Sequence, residues 1–303
     1  MRMSVVDNVA LLAEIKKLGF SLLQNERALR ICDVLRVTGT NTAKSRYGGI
    51  PLVPSDFSWP SDTRGPLQLL VQIFTSELAH APTYFPKGSS ILVFHGEDGA
   101  QLRILSERDC TTEATPPEMN RFARQYQEPA NFLRGYPAVP VRFHQQLVVG
   151  DDVLLGEEDE ERMAKLWDLC NPTLQRNGDA VEIPGILGWN FDIRGSSSND
   201  PRIDAVLTAH GWAEKKWYLD RDDADILKES PRLKTMLGTK AWWAAQRPTL
   251  MAEIESWVPV CVVGSSFKNH MMWDDFGNLT IMARIGEDGL IDPGQVHDIV
   301  ESA

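Results

Sequence analysis

Apolar side chains recur at three- and four-residue steps over residues 4–18, where Val5, Val9, Leu12, Ile15 and Leu18 share one face before Gly19. That spacing predicts an amphipathic helix. The pattern then changes to short apolar runs. Residues 28–37 (ALRICDVLRV), 67–73 (LQLLVQI), 90–95 (SILVFH), 101–105 (QLRIL), 141–149 (VRFHQQLVV) and 258–264 (VPVCVVG) predict strands. Asp98-Gly99 between two such runs predicts a hairpin, because glycine tolerates the positive φ of a tight turn. Turns dominate 41–66, where Gly48-Gly49, Pro51, Pro54, Pro60 and Gly65-Pro66 forbid a helix. Residues 111–140 are irregular and punctuated by proline.

In the second half, ERMAKLWDLC (161–170) predicts a helix. ILGWNFDI (186–193) precedes a Gly/Ser/Asn loop, and Pro201 opens a second helix running to about His210. Residues 239–257 read as helical with a break before Pro248. Residues 267–289 read as turn, strand and turn, and the final DPGQVHDIV as a short helical or irregular tail. The sum is an α+β chain: an N-terminal helix over 1–25, a β-rich half over 26–150, an acidic linker and helix over 151–180, and a second β-rich half over 181–303, packed as one unit.

The two halves echo one another. YGGIPLVP, LLVQI, ILVFH and Gly96-Glu97-Asp98-Gly99 are followed in the same order by PGILGW, PVCVV, LTIMARI and Gly286-Glu287-Asp288-Gly289. Repeated order of parts points to tandem duplication, although GEDG alone is also generic turn chemistry. Four blocks, KSRYGGIPLVPSDFSWP (44–60), PLQLLVQIFTSEL (66–78), FPKGSSILVFH (85–95) and HMMWDDFGNLTIMARIGEDGL (270–290), together resemble the YwqG-like (DUF1963) family. The resemblance implies two related β-rich halves with peripheral helices, and no established reaction. It also implies a role beside polymorphic toxins, because members are often encoded near them. The chain departs from the family pattern at Gly188-Trp189-Asn190 and at Val262-Val263-Gly264.

Charge narrows the partner. With 31 Lys and Arg against 42 Asp and Glu, the net charge is -11. Nucleic-acid binding needs the opposite sign, whereas a basic protein would be attracted; solubility alone also accounts for such acidity. Two segments concentrate the acids: Asp151, Asp152, Glu157, Glu158 and Glu160 in one, Asp220, Asp222, Asp223 and Asp225 in the other. Four scattered cysteines without a C-x-x-C pair argue against a thiolate zinc site and suit a reducing compartment. No signal-peptide core and no run of eighteen apolar residues is present, so the expectation is a cytoplasmic protein without a membrane span.

Catalytic signatures are absent: no G-x-G-x-x-G, P-loop, H-E-x-x-H or G-x-S-x-G occurs. His270 with Asp274 and Asp275 is the best metal or acid–base grouping, but aspartates in a turn also serve as caps for backbone N–H groups. His95 and His144 read as structural histidines, and Ser265-Ser266 has no evident helper. No metal and no cofactor is expected. Trp59 and Trp273 stand beside turns, where an aromatic either floors a pocket or plugs a core edge.

Two functions follow. The first is a non-catalytic binding protein, in the form of an immunity protein that neutralises a secreted toxin through its acidic face. The second is a small-molecule-binding protein or enzyme with a pocket between the halves, near Trp59, Gln72, His270, Trp273 and Asp274.

Overall fold

The structure is a computed structural model that describes residues 17, 29–38, 42–79, 81–118, 135–149, 180–184, 201–211, 248–250, 252–266, 268, 270–273 and 277–301. Both acid-rich segments, the helix expected over 161–170, the run 186–193 and Asp274 lie outside those residues, as does the expected N-terminal helix apart from Lys17.

The described residues are mostly β-structure, with one α-helix, α1 (Pro201–Ala209), two 3-10 turns and helical residues at 248–250 and 252–254. Of the α+β expectation, the described residues thus carry mainly the antiparallel β-part, with few short helices. The strands in chain order are β1 (Leu29–Val37), β2 (Arg46–Tyr47), β3 (Leu52–Val53), β4 (Ser61–Asp62), β5 (Gly65–Pro66), β6 (Gln68–Phe74), β7 (Ser89–Gly96), β8 (Gly99–Ser106), β9 (Thr112–Glu113), β10 (Val141–Val149), β11 (Ala180–Pro184), β12 (Trp257–Gly264), β13 (Asn278–Ile285) and β14 (Ile291–Glu301). A six-stranded sheet has the order β10-β1-β11-β12-β13-β14, and a four-stranded sheet the order β2-β6-β7-β8. Every pairing in both is antiparallel. β1 and β10, from before residue 150, join the sheet that the later strands build.

The unbroken apolar runs arise because both faces of each central strand are covered. In β6 and β7, Val71, Ile73, Ile91 and Val93 face the core shared by the two sheets. Leu69, Leu92 and Phe94 face outward, beneath Val53, Phe57 and Trp59 of the turn-rich segment. In β13, Leu279, Ile281 and Ala283 enter the shared core, while Met282 lies under Ala205, Val206 and Leu207 of α1. Alternate side chains of a strand point to opposite faces, so burial on both sides removes the alternation of a half-exposed strand. Each fully buried aliphatic side chain contributes about 1.5–3 kcal/mol. Cys110 and Cys261 are free, buried thiols, and burial pushes both above the ordinary thiol range.

Hydrogen bonds tie the sheets together. The Tyr47 hydroxyl donates to Gly264 O at 2.6 Å, and the Tyr84 hydroxyl to Pro259 O at 3.0 Å. The Glu77 carboxylate accepts the Lys44 and Ser45 N–H groups, each at 2.7 Å, and Ser45 Oγ accepts Phe74 N–H at 2.9 Å. The Lys-Ser lead before Gly48-Gly49 is thereby clamped to the end of β6. Among the described residues no helix is long and apolar enough to cross a membrane.

The chain's end differs from expectation. DPGQVHDIV is not a helical or irregular tail but part of the eleven-residue β14, paired with β13. Ala283 pairs with Val296 and Arg284 with Asp292, so residues 293–295 are left over in an irregularity of the ladder. Proline and glycine are tolerated there, on an edge strand, without ending it.

Candidate functional site

The β7–β8 hairpin brings chemistry to the end of the shared core. Its turn is Gly96-Glu97-Asp98-Gly99, and Gly99 adopts φ 105. A Cβ at Gly99 would stand 2.8 Å from Asp298 Oδ1, so only glycine lets β14 approach this closely. Asp298 Oδ1 accepts the Ala100 N–H at 2.8 Å, and Oδ2 lies 3.2 Å from His95 Nε2. Burial raises the Asp298 pKa, but the hydrogen bond and charge of His95, the Ala100 N–H and the charge of His297 outweigh it, so the carboxyl sits below its ordinary value.

The third element is Trp273. Its backbone N–H donates to Ser265 Oγ at 3.0 Å, and the Ser265 hydroxyl donates to Gly277 O at 2.8 Å. Gly277 N–H closes the loop on Trp273 O at 2.7 Å. The indole so fixed is 5 % exposed and meets the His95 ring edge-to-face, with centroids 5.4 Å apart. Gln68, 2 % exposed, stands directly opposite His95 in the β6–β7 ladder. Residues paired across a ladder share a sheet face, so Gln68 and His95 project to the same side.

A carboxylate can only accept, so His95 donates Nε2–H to Asp298; in the neutral form of the ring Nδ1 is then an acceptor. Among the described residues, His95 Nδ1, Gln68 Oε1 and Trp273 Nε1 are buried without a hydrogen-bond partner. No three His, Cys, Asp or Glu side chains among them are grouped to hold a metal ion.

The residues singled out in the sequence fall into separate places. The Trp59 Nε1–H donates to Leu67 O at 2.8 Å, and its ring packs edge-on to Phe57 and Phe94. Gln72, wholly buried, accepts Leu52 N–H at 2.8 Å and donates to Leu52 O at 2.6 Å and Ser90 Oγ at 2.8 Å. Its amide thus extends the ladder to β3. Trp59 and Gln72 lie on the outer face of the four-stranded sheet, and Trp273 belongs to the core on the other face. His270 is exposed, with φ 62. Asp274 and the acids of 151–160 and 220–225 are outside the described residues.

His95 reads from the sequence as a structural histidine, and no local signal there assigns a role to Gln68 or Asp298. The hairpin signal placed His95 beside a turn, but nothing local linked it to Asp298, 203 residues away.

A family described as "Domain of unknown function (DUF1963)" matches residues 45–285. The match takes in Gln68, His95 and Trp273 and stops short of Asp298. No curated protein matches the chain.

Proposed function

This chain belongs to the DUF1963 family, and on that footing we propose that it is a non-catalytic binding protein for a basic protein partner, in the specific form of an immunity protein that neutralises a toxin. The observation that carries the reading is charge: 42 acids against 31 bases give -11. A field of that sign raises the encounter rate with a basic partner and disfavours a phosphate backbone. The acids that supply the face are Asp151, Asp152, Glu157, Glu158 and Glu160, or Asp220, Asp222, Asp223 and Asp225. The reading is further supported by Trp59 and Gln72, whose polar atoms are engaged by backbone and by Ser90 rather than offered to a ligand.

The test is charge reversal. Lysine at all five positions of the first set, with the second set reversed in a separate variant, is expected to slow association with the product of the adjacent reading frame by about tenfold or more. Exposed charges contribute little to stability, so unfolding should change by less than about 1 kcal/mol. Association rates unchanged in both variants would sink the proposal.

The finer architecture we propose is a tandem duplication. It is supported by the matching antiparallel order of β6-β7-β8 and β12-β13-β14, each with Gly-Glu-Asp-Gly between its last two strands. A second functional reading, a small-molecule site, is favoured by one observation only, the unpartnered polar atoms around His95.

A further inference from the structure

Three buried polar atoms at one end of the shared core have no partner among the described residues: Gln68 Oε1, His95 Nδ1 and Trp273 Nε1. They come from neighbours. Gln68 opposes His95 in the ladder, and the His95 and Trp273 rings are 5.4 Å apart. A buried donor or acceptor left unsatisfied costs as much as a hydrogen bond contributes, or more. Arg46 Nε, Glu107 Oε2 and Trp257 Nε1 are also buried without a partner, but these three atoms belong to side chains that neighbour one another, and together they would be a heavy local penalty.

Their chemistry is complementary to one kind of occupant. The Trp273 indole only donates. In the neutral His95 ring Nε2–H goes to Asp298, and Nδ1 then accepts. The Gln68 oxygen also accepts. With the ring neutral, the occupant must therefore supply two polar hydrogens and one lone pair and be small enough to sit enclosed.

We propose that Gln68, His95 and Trp273 hold one internal water molecule, which donates to Gln68 Oε1 and His95 Nδ1 and accepts from Trp273 Nε1–H. Three hydrogen bonds are the usual complement of a buried water. The water extends the chain Ala100 N–H, Asp298, His95 into the core and links β6 and β7 to Trp273. Asp298 sets its direction: by fixing the imidazole tautomer, the carboxylate makes Nδ1 an acceptor for this molecule. This inference is independent of the acidic face and survives its failure.

The test counts waters. Oxygen-17 relaxation dispersion on the intact protein should detect one fewer long-lived internal water in Trp273→Phe and in Gln68→Met than in the wild type. An unchanged count in both variants overturns the proposal. A double-mutant cycle gives a second reading: one bridging water couples the two substitutions, by at least about threefold in the folding equilibrium constant, whereas independent sites add. Should the variants fail to fold, the nitrogen-15 shifts of wild-type His95 decide. An unprotonated, hydrogen-bonded Nδ1 in the neutral ring supports the water, and a proton on Nδ1 overturns it.

Discussion

Gly49→Ala is expected to destabilise the protein by roughly 2–4 kcal/mol, combining positive-φ strain with overpacking. Gly49 adopts φ 78, and a Cβ there would lie 2.5 Å from Ala138 Cβ and 3.0 Å from Ala138 Cα. Neither side can yield cheaply. Gly49 N–H donates to Tyr136 O at 2.9 Å, and Gly48 N–H to Leu70 O at 2.7 Å, so the backbone is held from both directions. Gly289→Ala is the control. Its φ is 79, but nothing lies within 4 Å of the added methyl, so only the conformational cost of about 1–2 kcal/mol applies. Urea unfolding of both variants measures the difference, and equal losses at the two sites would show that the Ala138 contact does not matter.

Asp298→Ala is expected to cost about 2–5 kcal/mol near neutral pH, because it strands the Ala100 N–H and His95 Nε2 that the carboxylate now satisfies. The pH dependence has a definite sign. The folded-state pKa of Asp298 is depressed, so its ionised form is favoured in the folded protein. That contribution is fully present above the unfolded value of about 3.9 and disappears as pH falls through the lower folded value. Wild type should therefore lose its advantage over Asp298→Asn as the solution is acidified below about pH 4. A stability gap that persists undiminished at lower pH would mean that the carboxylate's charge is not what fastens β14 to the hairpin.

Local pattern revealed much of the fold. The run at 141–149 is β10, the run at 28–37 is β1, and Pro201 opens α1. These elements are encoded by nearest neighbours: an apolar stretch in the first two cases, and in the third a proline whose missing N–H costs nothing in a first helical turn. β14 was illegible for a physical reason. Pro293-Gly294 is turn chemistry, and only the pairing of Ala283 with Val296 and Arg284 with Asp292 shows that it occupies an irregularity within one strand. The site inherited that blindness, because Asp298 lies on β14 and meets His95 only through the sheet-to-sheet junction. Gln72 shows the opposite limit. Its place in the 66–78 block puts it beside the pocket of the second reading, yet the neighbouring strand takes both ends of its amide.

The central claim is that negative charge brings a basic protein to this chain, and the salt dependence of association tests it most directly. The chain would be mixed with the product of the adjacent reading frame and the association rate measured from low to high ionic strength. A steered encounter should slow by about 10–1,000-fold as salt screens the field, while dissociation changes far less. An association rate that does not vary with salt, or a failure of the two proteins to bind at all, would contradict the account.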